Sequence, residues 1–287
     1  MVVMVDDAPV TLAQVAELPA NETPAVESLH FGPDPVIVAP VLPPVRYSRL
    51  RLMAQSPAHY LEGTVEQTRC MEQGSAVDHL VFCTKTVLAY PGKVRSGKEW
   101  KSFKLDHPER EFCVVTGSEY AEARAIAAAV KADKRAMRIL RGEHQKEIFW
   151  KFCGRDCVSH LDNLGKDGAW VAELKVSQTS NPFRFRWHAL KMMYHAQLGF
   201  YEMAAEFENK KAPRAHFIVC VESTAPHVVT VFKLTHKAVE LGKRSCRAWM
   251  ERLLQCEAAN FWPGYSQSIV PLDGPEDEIL ESEGITF

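Results

Sequence analysis

The sequence lacks the features of a membrane or exported protein. No apolar run approaches the roughly 18 residues that a transmembrane helix needs. Residues 1–5 are apolar, but Asp6 and Asp7 follow at once, so the start has neither the basic residues nor the long apolar stretch of a signal peptide. We therefore expect a soluble, cytoplasmic protein with no membrane partner.

The cysteines lack the spacing of a metal site. The chain has eight cysteines and no Cys-x-x-Cys pair. Most of them lie in apolar segments, where a reduced thiol behaves as a small hydrophobic group. No iron-sulfur cluster is expected, although Cys153 and Cys157, four residues apart, leave a zinc or iron-sulfur site open as a minor alternative.

Both ends of the chain lack basic residues. Residues 1–45 contain six acids and eight of the 17 prolines, and residues 253–287 contain seven acids, with no Lys or Arg in either segment. All 34 basic residues therefore lie within 46–252, together with 23 acids, so the net charge of -2 conceals a basic body. If the surplus forms a patch, it suits a polyanion such as nucleic acid.

This composition predicts three parts. Residues 1–45 are expected to be a flexible, acidic, Pro-rich N-terminal extension, and residues 263–287 an acidic C-terminal tail. Residues 46–262 are long enough and apolar enough to form one folded domain. The tails could screen the basic body or bind a partner, but solvated ends are the commoner case.

The apolar pattern predicts a sheet flanked by helices. Helical spacing predicts helices over 49–55, 74–84, 119–141, 183–209 and 236–260. Alternating apolar and aromatic runs broken by glycines predict strands over 147–153, 157–164, 169–176, 215–222 and 227–234, the first three as an antiparallel meander. The expected fold class is α/β (or α+β), with a central mixed sheet between helices.

Two neighbouring predicted strands carry two acids and a lysine. Glu173 and Lys175 share one face of a strand, and Asp162 lies on the strand before it. Carboxylates so close repel each other unless a divalent cation lies between them, and oxygen ligands suit Mg²⁺ or Mn²⁺. The pattern predicts a metal-dependent phosphodiesterase. The competing interpretation is a solvated strand face.

The helix after these strands carries a further polar group. Tyr194, Gln197 and Tyr201 fall at i, i+3 and i+7 and so line one helix face. A neutral amide and two phenols beside a metal site can hold water and phosphate. Aromatic residues at this spacing more often pack as core, which leaves Gln197 as the stronger indication.

Together these motifs resemble a known family. The resemblance rests on Glu147, Asp162, Glu173-x-Lys175, Tyr194-x-x-Gln197-x-x-x-Tyr201 and Gly74-Ser-Ala-Val-Asp-His79. They are similar to the motifs of the PD-(D/E)xK nuclease superfamily, which has a restriction-endonuclease-like core, and above all to its exonuclease VIII branch, which is related to lambda exonuclease. The resemblance covers about residues 47–260 and is more specific than any one motif.

The resemblance implies a role for each matching residue. Asp162, Glu173 and the backbone carbonyl of Leu174 would bind Mg²⁺, with Mn²⁺ as a substitute, and Lys175 would activate water. Gln197 and Tyr194 would position water or phosphate. His79 would be a metal ligand or phosphate contact, and Glu147 would support a second metal; the alternatives are a core histidine and an exposed strand-end acid.

One motif departs from the family. Relatives usually have Arg-Pro-Asp where this chain has His160-Leu161-Asp162, so a phosphate-binding arginine is either missing or supplied by Arg155. Arg155-Asp156 is also a rival register for the motif, with a longer spacing to Glu173 and poorer strand alternation.

Further residues are candidates for DNA contact. The segment 93–104, expected to be a loop, interleaves cations with Trp100 and Phe103 and could grip phosphates or stack on a duplex end; the alternative is a solvated loop with buried aromatics. The DNA-binding candidates are Ser48, Arg49, Lys98, Lys101, Arg184, Arg186 and Tyr201.

The resemblance implies a Mg²⁺-dependent exodeoxyribonuclease. It would degrade one strand of linear duplex DNA from the 5′ end, processively, and leave a 3′ overhang for a single-strand annealing protein. It would act as a ring-shaped trimer or tetramer in the cytoplasm of a bacterium or phage-infected cell. Two alternatives remain: a repair or defence endonuclease of the same superfamily, and a non-catalytic DNA-binding protein.

Overall fold

The computed structural model describes residues 42–63, 68–92, 94–266 and 268–270. Most of the predicted N-terminal extension and of the predicted acidic tail lies outside these residues. No helix within the described ranges is both long and apolar enough to cross a membrane.

The described residues form mixed helices and strands. The strands are β1 (Thr86–Tyr90), β2 (Phe112–Thr116), β3 (Gly142–Phe152), β4 (Arg155–Gly165), β5 (Trp170–Ser177), β6 (Ala215–Glu222) and β7 (Val229–Lys233). The helices are α1 (Tyr47–Leu50), α2 (Pro57–Glu62), α3 (Arg69–Phe82), α4 (Gly97–Asp106), α5 (Gly117–Ala132), α6 (Lys134–Ile139), α7 (Pro182–Lys191), α8 (Tyr194–Asn209) and α9 (His236–Ala259).

The main sheet has the strand order β3-β4-β5-β6-β7. β3, β4 and β5 are antiparallel neighbours, β6 lies parallel to β5, and β7 is antiparallel to β6. The predicted mixed sheet and antiparallel meander are confirmed. Because the connection between two parallel strands must cross over the sheet, α7 and α8 lie between β5 and β6 in the chain.

Helices cover both faces of this sheet. On one face, α8 packs over β3 and β4, and α9 packs against α8, in a core that contains Phe200 and Met250. On the other face, α3 and α5 pack over β5 and β6 around Ile126 and Val219. Both faces of β5 are therefore buried, which explains its nearly continuous apolar sequence and leaves Glu173 and Lys175 as its unusual members.

Three predicted segments differ from the structure. The expected loop over 93–104 contains helix α4, and β1 and β2 on either side of it form a small parallel sheet that the sequence pattern did not predict. The single helix predicted over 119–141 divides at Asp133, whose carboxylate accepts the first amides of α6. The helix predicted over 183–209 divides into α7 and α8 at Met193, which has a left-handed φ of 56°.

Helix α8 is held closely against α9. A Cβ on Gly242 of α9 would lie 2.1 Å from the carbonyl oxygen of His195, and a Cβ on Gly199 of α8 would lie 2.7 Å from the amide nitrogen of Lys243. Since no side chain fits at either position, the two glycines permit the close approach. The helices α8 and α9 can lie this close together only if both positions keep their glycines.

A buried acid fixes the same helix from the other side. Glu202 of α8 accepts a hydrogen bond from Lys243 at 2.9 Å and lies 2.8 Å from the ring of His216 on β6. Burial raises the pKa of Glu202, but the hydrogen bonds from His216 and Lys243 outweigh burial and leave that pKa below its usual value. The contacts of Glu202 with Lys243 and His216 therefore tie α8 to both α9 and the sheet.

Candidate active site

Strands β4 and β5 separate at the point where the acids lie. Their backbones pair only at Asn163 with Ala172 and at Leu164 with Val171. The next pair would be Asp162 with Glu173, and there side chains take the place of the backbone ladder. The amide of Asp162 donates to Glu173 Oε1 at 3.3 Å, and the amide of Leu174 donates to Asp162 Oδ2 at 3.0 Å. Each carboxylate is thus oriented by the opposite strand.

Lys175 completes the group on β5. Its Nζ donates to Glu173 Oε2 at 2.9 Å, as expected for two residues on one face of a strand. The same Nζ lies 5.3 Å from the centre of the Tyr194 ring. Glu173 is 1% exposed, whereas one fifth of the Lys175 side chain is exposed. The lysine therefore occupies the solvent side of the pair.

Gln197 reaches the same carboxylate from α8. Its Nε2 donates to Glu173 Oε2 at 2.9 Å and to the Tyr201 hydroxyl at 3.1 Å. Tyr201 is 8% exposed, so it is not available for the DNA contact expected of it and instead orients the amide of Gln197. Tyr194 is half-buried, and its hydroxyl lies 3.5 Å from Nε2 of His188.

Asp78 on α3 is a further acid that interacts with the charges of this site, and the sequence did not predict a role for it. Burial raises the pKa of Asp78 well above its usual value, and the charges of Asp162 and Glu173 raise it further, with Lys175 acting in the opposite direction. The signal in the sequence was an acid within an apolar helical run, directly before His79. The charge of Asp78 is therefore linked to those of Asp162, Glu173 and Lys175.

The charge balance of the site is visible in its pKa values. Burial raises the pKa of Glu173 to about 8; the charge of Asp162 raises it further, while the charge and the hydrogen bond of Lys175 lower it. Burial alone would lower the pKa of Lys175, but attraction to Glu173 and Asp162 outweighs burial and raises it well above its usual value. The raised pKa of Lys175 shows that the acids around it favour its charged form.

His79 does not join these acids. Its Nδ1 lies 2.7 Å from Thr84 Oγ1, and burial together with Lys85 lowers its pKa. It lines a separate cleft of about 660 Å³ between α3, α4 and β2. The pKa of Asp78, one residue earlier, is shifted instead by the charges of Asp162, Glu173 and Lys175. Because adjacent residues of a helix are about 100° apart around its axis, His79 cannot take the place of Asp78 beside the acids.

Glu147 and Arg155 lie apart from the carboxylates. Glu147 is exposed on β3, and its Oε1 lies 3.2 Å from His160 Nε2 on β4. Arg155 forms an ion pair with Glu257 of α9 at 3.2 Å, and Asp156 forms one with Lys151 at 2.6 Å. These contacts exclude Arg155-Asp156 as the acidic motif of the site. A second-metal role for Glu147 stays a prediction.

The predicted DNA contacts lie on several elements. Lys98 and Lys101 are exposed on α4, but the rings of Trp100 and Phe103 pack edge-on against Tyr90 of β1. The remaining candidates lie outside α4: Ser48 is exposed on α1, Arg184 and Arg186 are exposed on α7, and Arg49 donates to the carbonyl of Leu61 at 2.8 Å. The interleaved aromatics of α4 therefore support the small sheet.

The residues present have the chemistry of a divalent-cation site. In the described part of the chain, no group of three or more His, Cys, Asp or Glu side chains is already arranged around a metal position. Asp162 and Glu173, with the carbonyl of Leu174, nevertheless offer oxygen atoms of the kind that Mg²⁺ and Mn²⁺ prefer. Burial and the neighbouring acids raise the pKa of Glu173 and of Asp78, and a divalent cation would favour the ionised form of both acids.

Comparison with known proteins agrees with this architecture. A family model described as a PDDEXK-like domain of unknown function (DUF3799) matches residues 47–271. No functionally curated protein shows significant sequence similarity to the chain.

A similar solved structure supports the same fold. A protein from Eubacterium rectale, described as a candidate exonuclease, has a TM-score of 0.56 at 14% identity, over 83% of this chain and 92% of that one. A second structure, SSO0001, has a TM-score of only 0.27 at 12% identity, over 69% of this chain and 84% of that one, and bears no weight. The chain belongs to the DUF3799 family of PDDEXK-like domains, and this family match together with its mixed sheet flanked by helices supports a nuclease of the PD-(D/E)xK type.

Proposed function

We propose that the protein is a Mg²⁺-dependent exodeoxyribonuclease that hydrolyses the phosphodiester bonds of linear double-stranded DNA. The observation that carries this proposal is the single network in which Lys175 and Gln197 both bond to Glu173, while Asp162 bonds across the open strands to the same residue. A merely structural ion pair would need neither the open strands nor the third acid, Asp78.

The acids would hold the metal. Asp162, Glu173 and the Leu174 carbonyl are its proposed ligands, and Asp78 is close enough to share the charge. A divalent cation in such a site supplies positive charge beside the phosphate and makes water a better nucleophile. Mn²⁺ has the same preference for oxygen ligands and is expected to substitute.

Lys175 and Gln197 would position the reactants. The Lys175 ammonium lies on the solvent side of Glu173, where it can donate to a phosphate oxygen as negative charge develops. Gln197 has a neutral amide fixed at both ends, by Glu173 and by Tyr201, so it can orient water or phosphate without competing for the metal. In the reaction water attacks phosphorus, the bond to the leaving oxygen breaks, and that oxygen takes up a proton.

The direction of digestion rests on the family resemblance. We infer degradation of one strand from the 5′ end, processively, with a 3′ overhang passed to an annealing protein in phage or prophage recombination. The same resemblance supports a ring-shaped trimer or tetramer and a cytoplasmic location. The surplus of 34 basic over 23 acidic residues within 46–252 supports DNA as the substrate.

Digestion of end-labelled DNA tests this proposal. Linear duplex labelled at the 5′ end should lose its label as mononucleotides at once, whereas 3′ label should persist as long fragments. Both reactions should stop in EDTA and in Lys175→Ala, and closed circular plasmid should stay intact.

Other results would identify the alternatives. Cutting of the closed circle would show an endonuclease, and early release of the 3′ label would reverse the polarity. Binding of duplex ends without hydrolysis in either Mg²⁺ or Mn²⁺ would show a non-catalytic DNA-binding protein. Light scattering of the purified protein tests the ring, since a single monomeric species at assay concentration would contradict it.

A further inference from the structure

Helix α7 has one apolar face that no other described element covers. Phe185 is 1% exposed and packs against Phe232 at 4.6 Å between ring centres. On the opposite side of the helix, Phe183, Trp187 and Leu190 are 71%, 58% and 47% exposed. Their i, i+4 and i+7 spacing places them in one stripe, which we call the α7 stripe. Large apolar side chains grouped in this way usually mark a binding surface.

Cations surround the α7 stripe. Arg184, Arg186 and Lys191 are exposed on the same helix, and the sequence has no Asp or Glu between Glu173 and Glu202. The guanidinium of Arg186 lies 5.8 Å from the Phe183 ring and 4.8 Å from the Trp187 ring. The surface therefore combines flat aromatic rings with positive charge and no negative charge from its own helix.

The α7 stripe belongs to the helix that leads into the active site. Phe185 and His188, on the buried side of α7, contact Tyr194 at 6.2 Å and 5.9 Å between ring centres. The Tyr194 ring lies 5.3 Å from the ammonium of Lys175. A ligand on the outer side of α7 is thus separated from the reacting groups by one helix and one ring.

We propose that the α7 stripe stacks against unpaired nucleobases of the DNA substrate while Arg184 and Lys191 contact its phosphates. The proposal rests on the nuclease function and specifies its substrate: a DNA end with a frayed or single-stranded segment. Aromatic rings beside cations are what single-stranded nucleic acid needs, because every base has a flat face and every linkage a charge. Bases within a duplex are already stacked on each other and cannot use the rings.

A second copy of the chain fits this surface less well. A two-fold contact through the α7 stripe would bring three cations of one helix against three of its partner, with no acid on either helix to offset them. A DNA strand neutralises the same three charges. Charge complementarity therefore favours DNA over self-association.

Binding measurements on single substitutions test the proposal. Fluorescence anisotropy is recorded with three labelled DNAs: a single strand, a duplex with a single-stranded end, and a blunt duplex. Cleavage during the measurement is prevented with EDTA, and in a second series by adding the Lys175→Ala substitution to every protein. Trp187→Ala and Phe183→Ala are each expected to lower the affinity for the single strand and for the duplex with a single-stranded end by about 5- to 100-fold, which is the loss that one missing base–aromatic stack causes. The affinity for the blunt duplex should stay nearly unchanged. Phe149→Ala is the matched control, since Phe149 is 64% exposed on β3.

Each result supports or contradicts the proposed contact between the α7 stripe and unpaired bases. Unchanged single-strand affinity in both stripe variants overturns the proposal, as does equal weakening by Phe149→Ala. Light scattering tests whether a second copy of the chain occupies the stripe instead. If Trp187→Ala turns an oligomer into a smaller species, the stripe is a protein interface and the proposal is wrong. If the wild type does not cleave DNA but loses single-strand affinity on Trp187→Ala, the nuclease proposal fails alone. If it cleaves while the variants bind normally, only the stripe proposal fails.

Discussion

Replacing Gly242 by alanine tests whether the contact between α8 and α9 holds Gln197 in the active site. A Cβ at this position would lie 2.1 Å from the carbonyl oxygen of His195, whereas ordinary contact begins at 3.4 Å. The obstacle is backbone, so no rotamer change can relieve it. Helix α8 must therefore move away from α9 by roughly 1 Å or distort locally.

Two losses follow from that movement. Overpacking of a buried contact costs about 1–3 kcal/mol of the free energy of unfolding. Gln197 is two residues from His195, and its 2.9 Å hydrogen bond to Glu173 has little room to stretch. Since a displacement of about 1 Å at a catalytic group can cost on the order of 100-fold in rate, we expect cleavage to fall by between 10- and 100-fold.

The assay pairs urea unfolding with cleavage of end-labelled duplex. Gly117→Ala is the control, because Gly117 begins α5 and a Cβ there meets nothing within 4 Å. It should leave the cleavage rate unchanged and stability equal or slightly higher. Wild-type stability and cleavage in Gly242→Ala would refute the proposed link between helix packing and the position of Gln197.

Three further substitutions separate chemistry from stability. Lys175→Ala should lower the cleavage rate at least ~100-fold while duplex affinity, measured by anisotropy, changes by less than about threefold; near-normal cleavage would sink the mechanism. Arg155→Ala should cost about 1–2 kcal/mol in urea unfolding, through the lost ion pair with α9, without slowing cleavage; slower cleavage at equal stability would make Arg155 a phosphate contact after all. Glu202→Gln should cost roughly 2–3 kcal/mol at pH 7. Because the folded-state pKa of Glu202 is lowered, its ionised form stabilises above the ordinary value of 4.5 and this contribution is lost as the pH falls through the lowered pKa. The difference from wild type should therefore narrow below about pH 4.5, and a constant difference between pH 7 and pH 3.5 would contradict the ion-pair account.

The sequence predicted those parts of the fold that depend on local periodicity. Strands β3, β4 and β5 are eight to eleven residues long and rich in apolar residues, and the shared face of Glu173 and Lys175 follows from the two-residue period of any strand. Gln197 could be predicted for the same reason, because its spacing from Tyr194 and Tyr201 places the three residues on one helix face. These predictions needed no knowledge of how the elements pack.

The missed features depend on contacts between distant parts of the chain. The break between α7 and α8 occurs at Met193, whose carbonyl accepts a 2.7 Å hydrogen bond from the Tyr47 hydroxyl, 146 residues away along the chain. The buried position of Tyr201 and the charges around Asp78 likewise depend on which helix covers which face of the sheet. No window of sequence contains that information, so the sequence predicted a role for His79 and none for Asp78.

The opening between β4 and β5 makes the two acids part of the sheet. Where a backbone ladder would continue, the strands are joined by the carboxylates of Asp162 and Glu173, each accepting an amide from the opposite strand. Loss of either acid would therefore remove a hydrogen bond between the two strands as well as a metal ligand. Lys175 contributes no such link between the strands. A descendant that drifted away from catalysis would be expected to lose its lysine first and to keep its acids, so the acids alone are a poor sign of an active enzyme in this family.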